Sequence, residues 1–318
     1  MKQYAVELHC HTHHSDADFT PEALAREVVK FGYKGVILTD HNTASGYGAF
    51  AESAARFGLV TLPGIEWTTY FGHMLVHDAS KVVDWRDATP ATIDTHIETV
   101  KKAGGLVGIA HPYAIGSPMC TGCHWAFEVK KWENVNYIEI WNEVSPDESL
   151  ASWEAYALWS DLLDRGYRIS ASAGRDWHRL EEAGGNPAVT YIEGSGPLTP
   201  QLFRSALEKG AFYLTLGPRV DWQIGTGHRM GDSISAGTHL TDNPVLTFDL
   251  PAFTPFHPDA TRIKLIHNGA TYLDIPLAEN KITLSLNLSP GYIRLELWGA
   301  LKDKQNELLL VSNPVYVE

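Results

Sequence analysis

Histidine and carboxylate side chains recur at short spacings near the beginning of the chain. His9 and His11 flank Cys10 in a run with strand character, and Asp16 follows five residues after His11. Because side chains alternate along a strand, the imidazoles of His9 and His11 project from one face, where they can chelate one metal ion. Mixed imidazole and carboxylate ligands suit Zn, Mn or Fe, and bridging carboxylates allow more than one ion.

The same residue types follow other strand-like runs, and 11 of the 15 histidines lie at or before His178. Each candidate lies at the same end of its strand, which is where barrel enzymes build their sites. Any one of these residues taken alone is more simply explained as exposed or hydrogen-bonded, but a structural role gives no reason for the shared position. The further candidates are Asp40 and His41 after the second strand, Glu66 at the end of the third, His111 after the fifth, and Asp176 and His178 after the seventh.

The fourth strand carries two candidates that the sequence alone does not separate. His73 and His77 are four residues apart and therefore share a face. Gly72 favours His73, because a residue without a side chain permits a close approach to the metal region. His77, followed by Asp78, is equally well explained as a support for a ligand or as a surface pair.

The elements that must position these residues alternate as βα units along the first 180 residues. Thr20 as N-cap, Pro21 at the first helical position and Gly32 beyond the end delimit the first helix. A second helix is predicted over 149–165, with Gly166 beyond its end. The predicted strands are 5–9, 35–39, 59–65, 73–77, 106–110, 136–141 and 168–173, which suggest a closed or nearly closed barrel.

The pattern changes after about residue 185. A strand at 188–193, a helix at 199–209 and a strand at 212–216 are followed by alternating runs at 245–250, 262–267, 282–288 and 292–298, which are typical of an antiparallel β-sandwich. A chain of 318 residues exceeds the usual size of one hydrophobic core. We therefore expect an α/β barrel domain over 1–219 and a C-terminal β-sandwich domain over 220–318.

Composition excludes several classes of protein. The 44% of apolar and 20% of charged residues are typical of a globular protein. The net charge of −13 would repel a phosphate backbone and predicts no general nucleic-acid binding. The absence of a long apolar run and of a signal-peptide core predicts a cytoplasmic protein without membrane association. Three cysteines without a secretion signal argue against a disulfide framework and predict reduced thiols.

One cysteine motif is not assigned a chemical role. Cys120 and Cys123, followed by His124, fit the spacing of c-type haem attachment, but haem attachment requires export and no export signal is present. We interpret the segment as a loop near the barrel mouth that shapes substrate access. Tyr113 and Trp125 beside it are candidates for stacking on a substrate ring.

Taken together, the motifs resemble the PHP (polymerase and histidinol phosphatase) metallohydrolases. Segments 66–69, 72–73, 138–142, 162–166, 217–218 and 312–316 further resemble the branch that includes carbaryl-hydrolase-like proteins, so the resemblance covers nearly the whole chain. The motifs that carry it are His9-x-His11 with Ser15-Asp16, Thr39-Asp40-His41, Gly64-Ile65-Glu66, Ala110-His111-Pro112 and Asp176-x-His178.

The resemblance implies an α/β fold with a distorted seven-stranded (β/α)7 barrel that holds two or three divalent ions, Mn, Zn or Fe. Glu66 would bridge ions in this multinuclear site. The ligands that the resemblance implies are His9, His11, Asp16, His41, Glu66, His73, His111, Asp176 and His178.

The chemistry expected of such a site is hydrolysis by a metal-activated water. Glu66, His73, His178 and Arg175 are the candidate catalytic residues, and His73, His77 and His178 are unranked candidates for the general acid. Arg175 stands where the branch commonly has a small residue; its guanidinium would favour an anionic substrate, although an outward-facing arginine is equally consistent. The candidate substrate-binding residues are Arg175, Arg219 and Tyr113.

We therefore expect a phosphoesterase acting on a small organic phosphate, with a possible role of the C-terminal domain in forming a homo-oligomer. A carboxyl-ester, carbamate or amide hydrolase using the same metals is the first alternative. A non-catalytic metal-binding module is the second, and the complete set of candidate ligands argues against it.

Overall fold

The computed structural model describes residues 1–79, 82–115, 122–180, 185–225, 227–235, 245–249, 258–277, 281–283 and 286–318, without the side chains of 245–249 and 281–283. The helices are α1 (Pro21–Lys30), α2 (Tyr47–Arg56), α3 (Ile93–Lys102), α4 (Leu150–Asp164) and α5 (Pro200–Lys209). The strands are β1 (Lys2–Cys10), β2 (Gly35–Leu38), β3 (Val60–Leu62), β4 (Gly64–Thr69), β5 (Gly72–His77), β6 (Leu106–Ile109), β7 (Tyr137–Asn142), β8 (Ser170–Gly174), β9 (Val189–Gly194), β10 (Phe212–Thr215), β11 (Arg219–Trp222), β12 (Ser233–Ile234), β13 (Val245–Asp249), β14 (Asp259–His267), β15 (Ala270–Pro276), β16 (Lys281–Thr283), β17 (Gly291–Leu301), β18 (Lys304–Ser312) and β19 (Val315–Val317).

The helix ends follow the expected capping chemistry. The Thr20 hydroxyl accepts a hydrogen bond from the Ala23 N–H at 3.1 Å, with Pro21 at the first helical position. Ser149 caps α4 in the same way by accepting from the Ser152 N–H at 3.4 Å. Within the described part of the chain, no helix combines the length and the apolar character needed to span a bilayer.

Two mixed sheets surround the strand ends that carry the candidate ligands. In one sheet β1, β2 and β3 are parallel, and β9 pairs antiparallel with β1. The other sheet has the order β4-β5-β6-β7-β8, in which β5 runs antiparallel to both of its neighbours and the last three strands are parallel. The fold is thus a mixed α/β architecture.

The closed seven-stranded barrel is not confirmed. The two sheets meet through two isolated parallel bridges, Cys10 with Trp177 and His41 with Glu66. The predicted third strand over 59–65 is divided at Pro63, which has no N–H to donate to a ladder. At Gly64 a Cβ would lie 2.5 Å from the Ile37 side chain, so only glycine lets the chain pass β2 this closely.

The C-terminal strands continue the first sheet. β10 pairs antiparallel with both β9 and β18, and β18 continues through β17 to β19 and β12. The three strands β11, β13 and β16 form a small separate sheet. Leu308, Leu309 and Val311 share one buried cluster with Val6 and Leu8 of β1. An independent β-sandwich is therefore not confirmed, and the domain boundary after residue 219 stays a prediction.

The cysteines differ in state. Cys10 is buried and free, whereas Cys123 is disulfide-bonded. The expectation of reduced thiols is wrong for Cys123, because disulfide formation depends on the local approach of two sulfur atoms, which cysteine count and the lack of a secretion signal do not decide. Cys120 lies outside the described residues.

Candidate metal centre

An inner group of four side chains meets at the carboxyl ends of β1 and β8 and on β4. The Nε2 atom of His9 lies 3.1 Å from Glu66 Oε2 and 3.2 Å from Asp176 Oδ1. The Nε2 atom of His11 lies 3.3 Å and 3.0 Å from the same two oxygens. The side chains of His9, His11 and Glu66 have no solvent exposure, and that of Asp176 is 20% exposed.

The inner group has the properties of a cation site. His9 Nε2, His11 Nε2, Glu66 Oε2 and Asp176 Oδ1 are all buried, and none has a hydrogen-bond partner among the residues that the structure describes. Leaving four such atoms unsatisfied would be costly, since buried polar atoms are almost always paired. The four atoms lie within 4.8 Å of one another. Two imidazole nitrogens and two carboxylate oxygens are a donor set that binds Zn, Mn or Fe, so the residues fit such an ion.

An outer group lies on the solvent side of the inner one. Asp16 places one oxygen 3.4 Å from His41 Nε2 and the other 3.2 Å from His178 Nε2. The exposed fraction is 54% for the Asp16 side chain and 23% for each histidine. Together with His11 these residues offer a second set of donor atoms within 4.8 Å of one another.

Glu66 links these groups to a third one. Its Oε1 atom lies 2.9 Å from His73 Nδ1 and 3.1 Å from His111 Nε2, while Oε2 lies 3.1 Å from His41 Nδ1. His41, Glu66 and His73 form a further set of possible metal ligands. The Glu66 carboxylate therefore lies between groups and has the position that a bridging ligand needs.

The direction of β5 separates His73 from His77. Because β5 is antiparallel to β4, its first residues lie beside the carboxyl ends of the parallel strands: His73 is opposite Thr68, and His77 is opposite Gly64. His77 is buried below the cluster, where its Nδ1 is hydrogen-bonded to the Tyr137 hydroxyl. Burial lowers the pKa of His77 to about 3.

Glu139 on β7 was missed as a site residue. Its two oxygens lie 3.1 and 3.2 Å from His9 Nδ1, and it accepts hydrogen bonds at 3.1 Å from the His111 N–H and from the Asn142 side chain. A carboxylate on the outer nitrogen of a ligating histidine fixes the ring and its tautomer. The available signal was one acidic residue inside the apolar run of β7.

Backbone carbonyls select the tautomer of two further histidines. His178 Nδ1 lies 2.6 Å from the Asp176 carbonyl, and His111 Nδ1 lies 3.3 Å from the Cys123 carbonyl. Because a carbonyl oxygen can only accept, each Nδ1 carries a hydrogen, and in the neutral ring the lone pair is left on the Nε2 that faces the cluster. His111 and Asp176 also have positive φ angles of 26° and 51°, conformations that cluster at functional sites.

Asp40 supports the turn that carries Asp16. Its Oδ1 accepts from the Thr12 N–H at 2.6 Å and from the Ser15 hydroxyl at 2.9 Å, and its Oδ2 accepts from the Thr12 hydroxyl at 2.7 Å. The Asp40 carboxylate thus holds the segment after β1 in place, and His41 beside it faces the outer group.

The electrostatics of the cluster favour added positive charge. Burial raises the pKa of Glu66, but His9, His73 and His41 outweigh it and hold that pKa well below its usual range. Burial lowers the pKa of His111, but the hydrogen bond to Glu66 outweighs it and brings the value to about 9. The carboxylates thus stay ionised and draw protons onto some of the imidazoles, such as His111, and a bound cation would displace those protons. Burial instead lowers the pKa of His11 to about 4, so this imidazole is neutral and free to bind a cation.

The two arginines that were expected to contact substrate have other partners. The Arg175 guanidinium is buried and lies 3.8 Å from the Trp177 ring centroid and 4.6 Å from that of Phe31. Arg219 donates to the Gln3 side chain, which is six residues before His9 on β1 and thus about 20 Å away along the strand. Tyr113 is half-buried beside His124, with 5.8 Å between ring centroids.

A cluster of this composition at the strand ends of a mixed α/β fold has the donor groups of the metal sites that hydrolases use. Residues 7–105 match the PHP domain family. The resemblance seen in the sequence is thus confirmed at the level of the superfamily, while the carbaryl-hydrolase-like branch stays a prediction. His111, Glu139, Asp176 and His178 lie beyond the matched residues.

The similar proteins include enzymes of nucleic-acid metabolism. The chain is 34% identical over 85 residues to the 5'-3' exoribonuclease Rnm of Escherichia coli K12, a match that covers 26% of this chain and 29% of that protein. It is 40% identical over 63 residues to an error-prone DNA polymerase of Nocardia farcinica, covering 19% of this chain and 6% of the polymerase. The chain thus spans less than a third of these relatives. Our expectation from net charge that nucleic acids are not bound is therefore not supported.

A solved structure shares the fold over almost the full length. It is a two-domain protein from Bacteroides vulgatus ATCC 8482 that contains a predicted PHP-like metal-dependent phosphoesterase. The TM-score is 0.58 at 15% identity, and the likeness covers 99% of this chain and 95% of that one. The likeness shows that the two chains share a fold.

Proposed function

We propose that this protein is a metal-dependent phosphoesterase that hydrolyses an ester of a small organic phosphate. The observation that carries the proposal is that the donor groups are contiguous: His9, His11, His41 and Glu66 each belong to two of the sets of possible ligands. Two or three ions held this closely would present a concentrated positive charge to a phosphate group and to the charge that develops as its ester bond breaks.

Each group has a proposed occupant. The inner ion would be held by His9, His11, Glu66 and Asp176, and the outer one by Asp16, His41 and His178 with His11. A third would be held by Glu66 and His73 together with His41, the remaining member of that set of possible ligands, or with His111, whose Nε2 lies 3.1 Å from Glu66 Oε1. When bound, such ions lower the pKa of water and polarise a phosphoryl oxygen.

The side chains of this protein would then position the reactants. Glu66 would hold the ions in common, and Glu139 would keep His9 in one orientation. His73 and His178 are the proposed sources of the proton for the leaving-group oxygen, whichever of the two is not held by an ion. His178 is the more accessible of the two, because its side chain is 23% exposed and that of His73 is 4% exposed.

Arg175 is proposed to act from behind the cluster. The backbone N–H of Arg175 donates a hydrogen bond of 3.0 Å to Glu7 Oε1. The same oxygen accepts a hydrogen bond of 2.9 Å from the backbone N–H of His9. Glu7 thus ties the end of β1 to the residue before Asp176. We propose that the buried stack of Arg175 on Trp177 holds Asp176 in place, so that the substrate anion is bound by the ions and not by this guanidinium.

The position of the two arginines also favours a second candidate function. Since neither Arg175 nor Arg219 contacts the cluster, the same metals would serve a carboxyl-ester, carbamate or amide hydrolase equally well. Such an enzyme needs a polarised carbonyl group but no arginine that binds a phosphate group.

The test uses protein stripped of metal and reconstituted separately with Mn, Zn and Fe. p-Nitrophenyl phosphate, bis-p-nitrophenyl phosphate and p-nitrophenyl acetate are compared with a 5'-phosphorylated RNA oligonucleotide. Loss of a supporting residue alone weakens such sites 10- to 100-fold, so we expect Asp176→Asn to reduce turnover of a phosphate ester by more than about 100-fold. His228→Ala removes an imidazole outside the cluster and serves as the matched control.

The outcomes separate the candidates. Metal-dependent release from a phosphate ester supports the proposal, and the ratio of monoester to diester turnover narrows the substrate. Release from acetate alone supports the second candidate, and degradation of RNA alone supports a nuclease. Metal binding without any turnover would indicate a non-catalytic module. The cytoplasmic location and a homo-oligomeric state stay predictions beside this proposal.

A further inference from the structure

A cavity of about 340 Å³ lies directly beside the metal centre, between the end of β7 and the first turn of α4. Its wall includes His111 and Glu139, which belong to one set of possible ligands with His9. A group bound in this cavity would therefore touch His111 and the carboxylate that orients His9. The volume is at the small end of the range of about 300–1,000 Å³ that is usual for ligand pockets.

Apolar side chains form half of the described wall. Ile140 and Ala155 are buried residues that face the cavity, and Ala114 and Ala151 add further apolar surface. Asn142, Ser149 and Ser152 supply a few polar atoms.

The rim of the cavity is unusually apolar for a solvent-exposed surface. Ile115 is 93% exposed and Leu150 is 82% exposed, and both line the cavity. Large aliphatic side chains this exposed around a concave site mark a place where an apolar ligand group is covered.

The charge of the cavity disfavours an anion. Its described lining contains two carboxylates, Glu139 and Glu143, and neither lysine nor arginine. The N-terminus of α4 offsets only part of this charge, because a helix macrodipole amounts to about half an elementary charge. Glu143 stands at the mouth in an exposed position with a φ of 64°.

The wall formed by α4 is fixed by the C-terminal part of the chain. Tyr156, next to Ala155, accepts a hydrogen bond from the Arg294 guanidinium at 2.6 Å and donates to the Glu296 carboxylate. Arg294 and Glu296 on β17 are themselves buried and paired at 3.2 Å. A pocket on so firmly held a helix keeps its shape when empty, which favours selective binding.

We propose that this cavity receives the organic part of the substrate, and that this part is uncharged and mainly apolar, of the size of one substituted ring. The inference rests on the proposed hydrolase function and adds the class of leaving group. The enzyme would prefer phosphate esters of apolar alcohols or phenols over esters whose organic part carries a carboxylate or a second phosphate.

The test measures binding of non-hydrolysable phosphonates to the Mn-loaded protein by calorimetry. The probes are phenylphosphonate, 4-carboxyphenylphosphonate and methylphosphonate, and turnover of phenyl phosphate and 4-carboxyphenyl phosphate is measured in parallel. We expect phenylphosphonate to bind about tenfold more tightly than either of the other probes, because an apolar group that fits an apolar pocket changes the relative affinity by about this factor.

Two matched variants test whether the preference for phenylphosphonate over 4-carboxyphenylphosphonate arises in this cavity. Leu150→Arg places a cation on the rim, at an exposed position, and should lower the ratio of phenyl to carboxyphenyl affinity at least about fivefold. Leu180→Arg places the same charge two residues from His178, at a side chain that is 56% exposed and is not part of the cavity lining, and should leave the ratio unchanged.

Equal affinities for the three probes, or the same ratio in both variants, would overturn the inference. If no phosphate ester is hydrolysed but the phenyl preference and its response to Leu150→Arg are present, the phosphoesterase proposal fails and the assignment of the cavity stands. If esters are hydrolysed without preference, the assignment of the cavity fails and the phosphoesterase proposal stands.

Discussion

Glu139 holds His9 through both of its carboxylate oxygens, at 3.1 and 3.2 Å from Nδ1, while Nε2 of the same imidazole faces Glu66 and Asp176. The ring is thereby fixed in the orientation that a metal ligand needs. Through this contact β7, which carries none of the proposed metal ligands, supports the centre of the site.

Replacing Glu139 with glutamine keeps its shape but removes the charge that steadies the His9 ring. We expect Glu139→Gln to weaken metal binding by about 10- to 100-fold, as is usual for the carboxylate partner of a ligating histidine. Calorimetric titration with Mn measures the effect. Glu143→Gln is the matched control, because that side chain is exposed at the end of the same segment; equal affinities in the two variants would contradict the assigned role.

The sequence predicts most of the ligand-bearing segments, because the signal is local. Alternation along β1 places His9 and His11 on one face, and Thr20 and Pro21 mark the start of α1 where the structure has it. The choice between His73 and His77 is not local, since it depends on β5 being antiparallel to its neighbours.

Other features of the molecule depend on long-range packing in the same way. The contact of Glu139 joins residues that are 130 positions apart. The pairing of β10 with β18 joins Tyr213 to Ser312. Arg175 next to Asp176 suggests a substrate clamp in sequence, but only packing reveals that its guanidinium stacks on Trp177.

His73 and His77 should respond differently to the same substitution. His73→Asn removes a proposed ligand and should lower the metal content while the fold is retained. His77→Asn should leave the metal content unchanged but reduce the free energy of unfolding by about 1–3 kcal/mol, because the Tyr137 hydroxyl loses its buried partner. Metal analysis and urea denaturation of both variants give the comparison; loss of metal from the His77 variant alone would reverse the assignment.

Metal binding should release protons. In the metal-free protein burial lowers the pKa of His111 and His178, but Glu66 and Asp16 respectively outweigh it and raise both values to about 9. Both imidazoles are therefore protonated at neutral pH and must lose that proton to coordinate through Nε2. Apparent affinity should rise with pH, by up to about tenfold per unit for each proton released, and level off above about pH 9.

The same raised pKa values determine how the stability of the folded protein changes with pH. A folded-state pKa above the unfolded value of about 6.5 contributes stability that is present at low pH and is lost as the pH rises through the folded value. The metal-free protein should therefore lose this contribution between about pH 6.5 and 9, and the metal-loaded protein should not.

Calorimetry of metal binding in two buffers of different ionisation enthalpy counts the protons that are released. A count of zero at neutral pH would refute the expected proton release.

The buried pair of Arg294 and Glu296 should be important for stability. Glu296→Gln leaves the Arg294 charge uncompensated in an environment where its side chain is only 3% exposed, so we expect a loss of about 3–5 kcal/mol in the free energy of unfolding. The exposed pair of Arg262 and Asp274 supplies the control, since Asp274→Asn should cost no more than about 1 kcal/mol. Urea denaturation of both variants measures the difference, and similar losses would show that burial of the pair is unimportant.

Metal content tests the central claim most directly, which is that the donor groups around Glu66 form one multinuclear metal centre. The protein is loaded with Mn, desalted and analysed by plasma mass spectrometry, beside His11→Ala, which removes a donor common to the inner and outer groups. We predict two or three equivalents in the unmodified protein and a loss of at least about one equivalent in the variant. One equivalent or less in the unmodified protein, or the same content in both, would contradict the account.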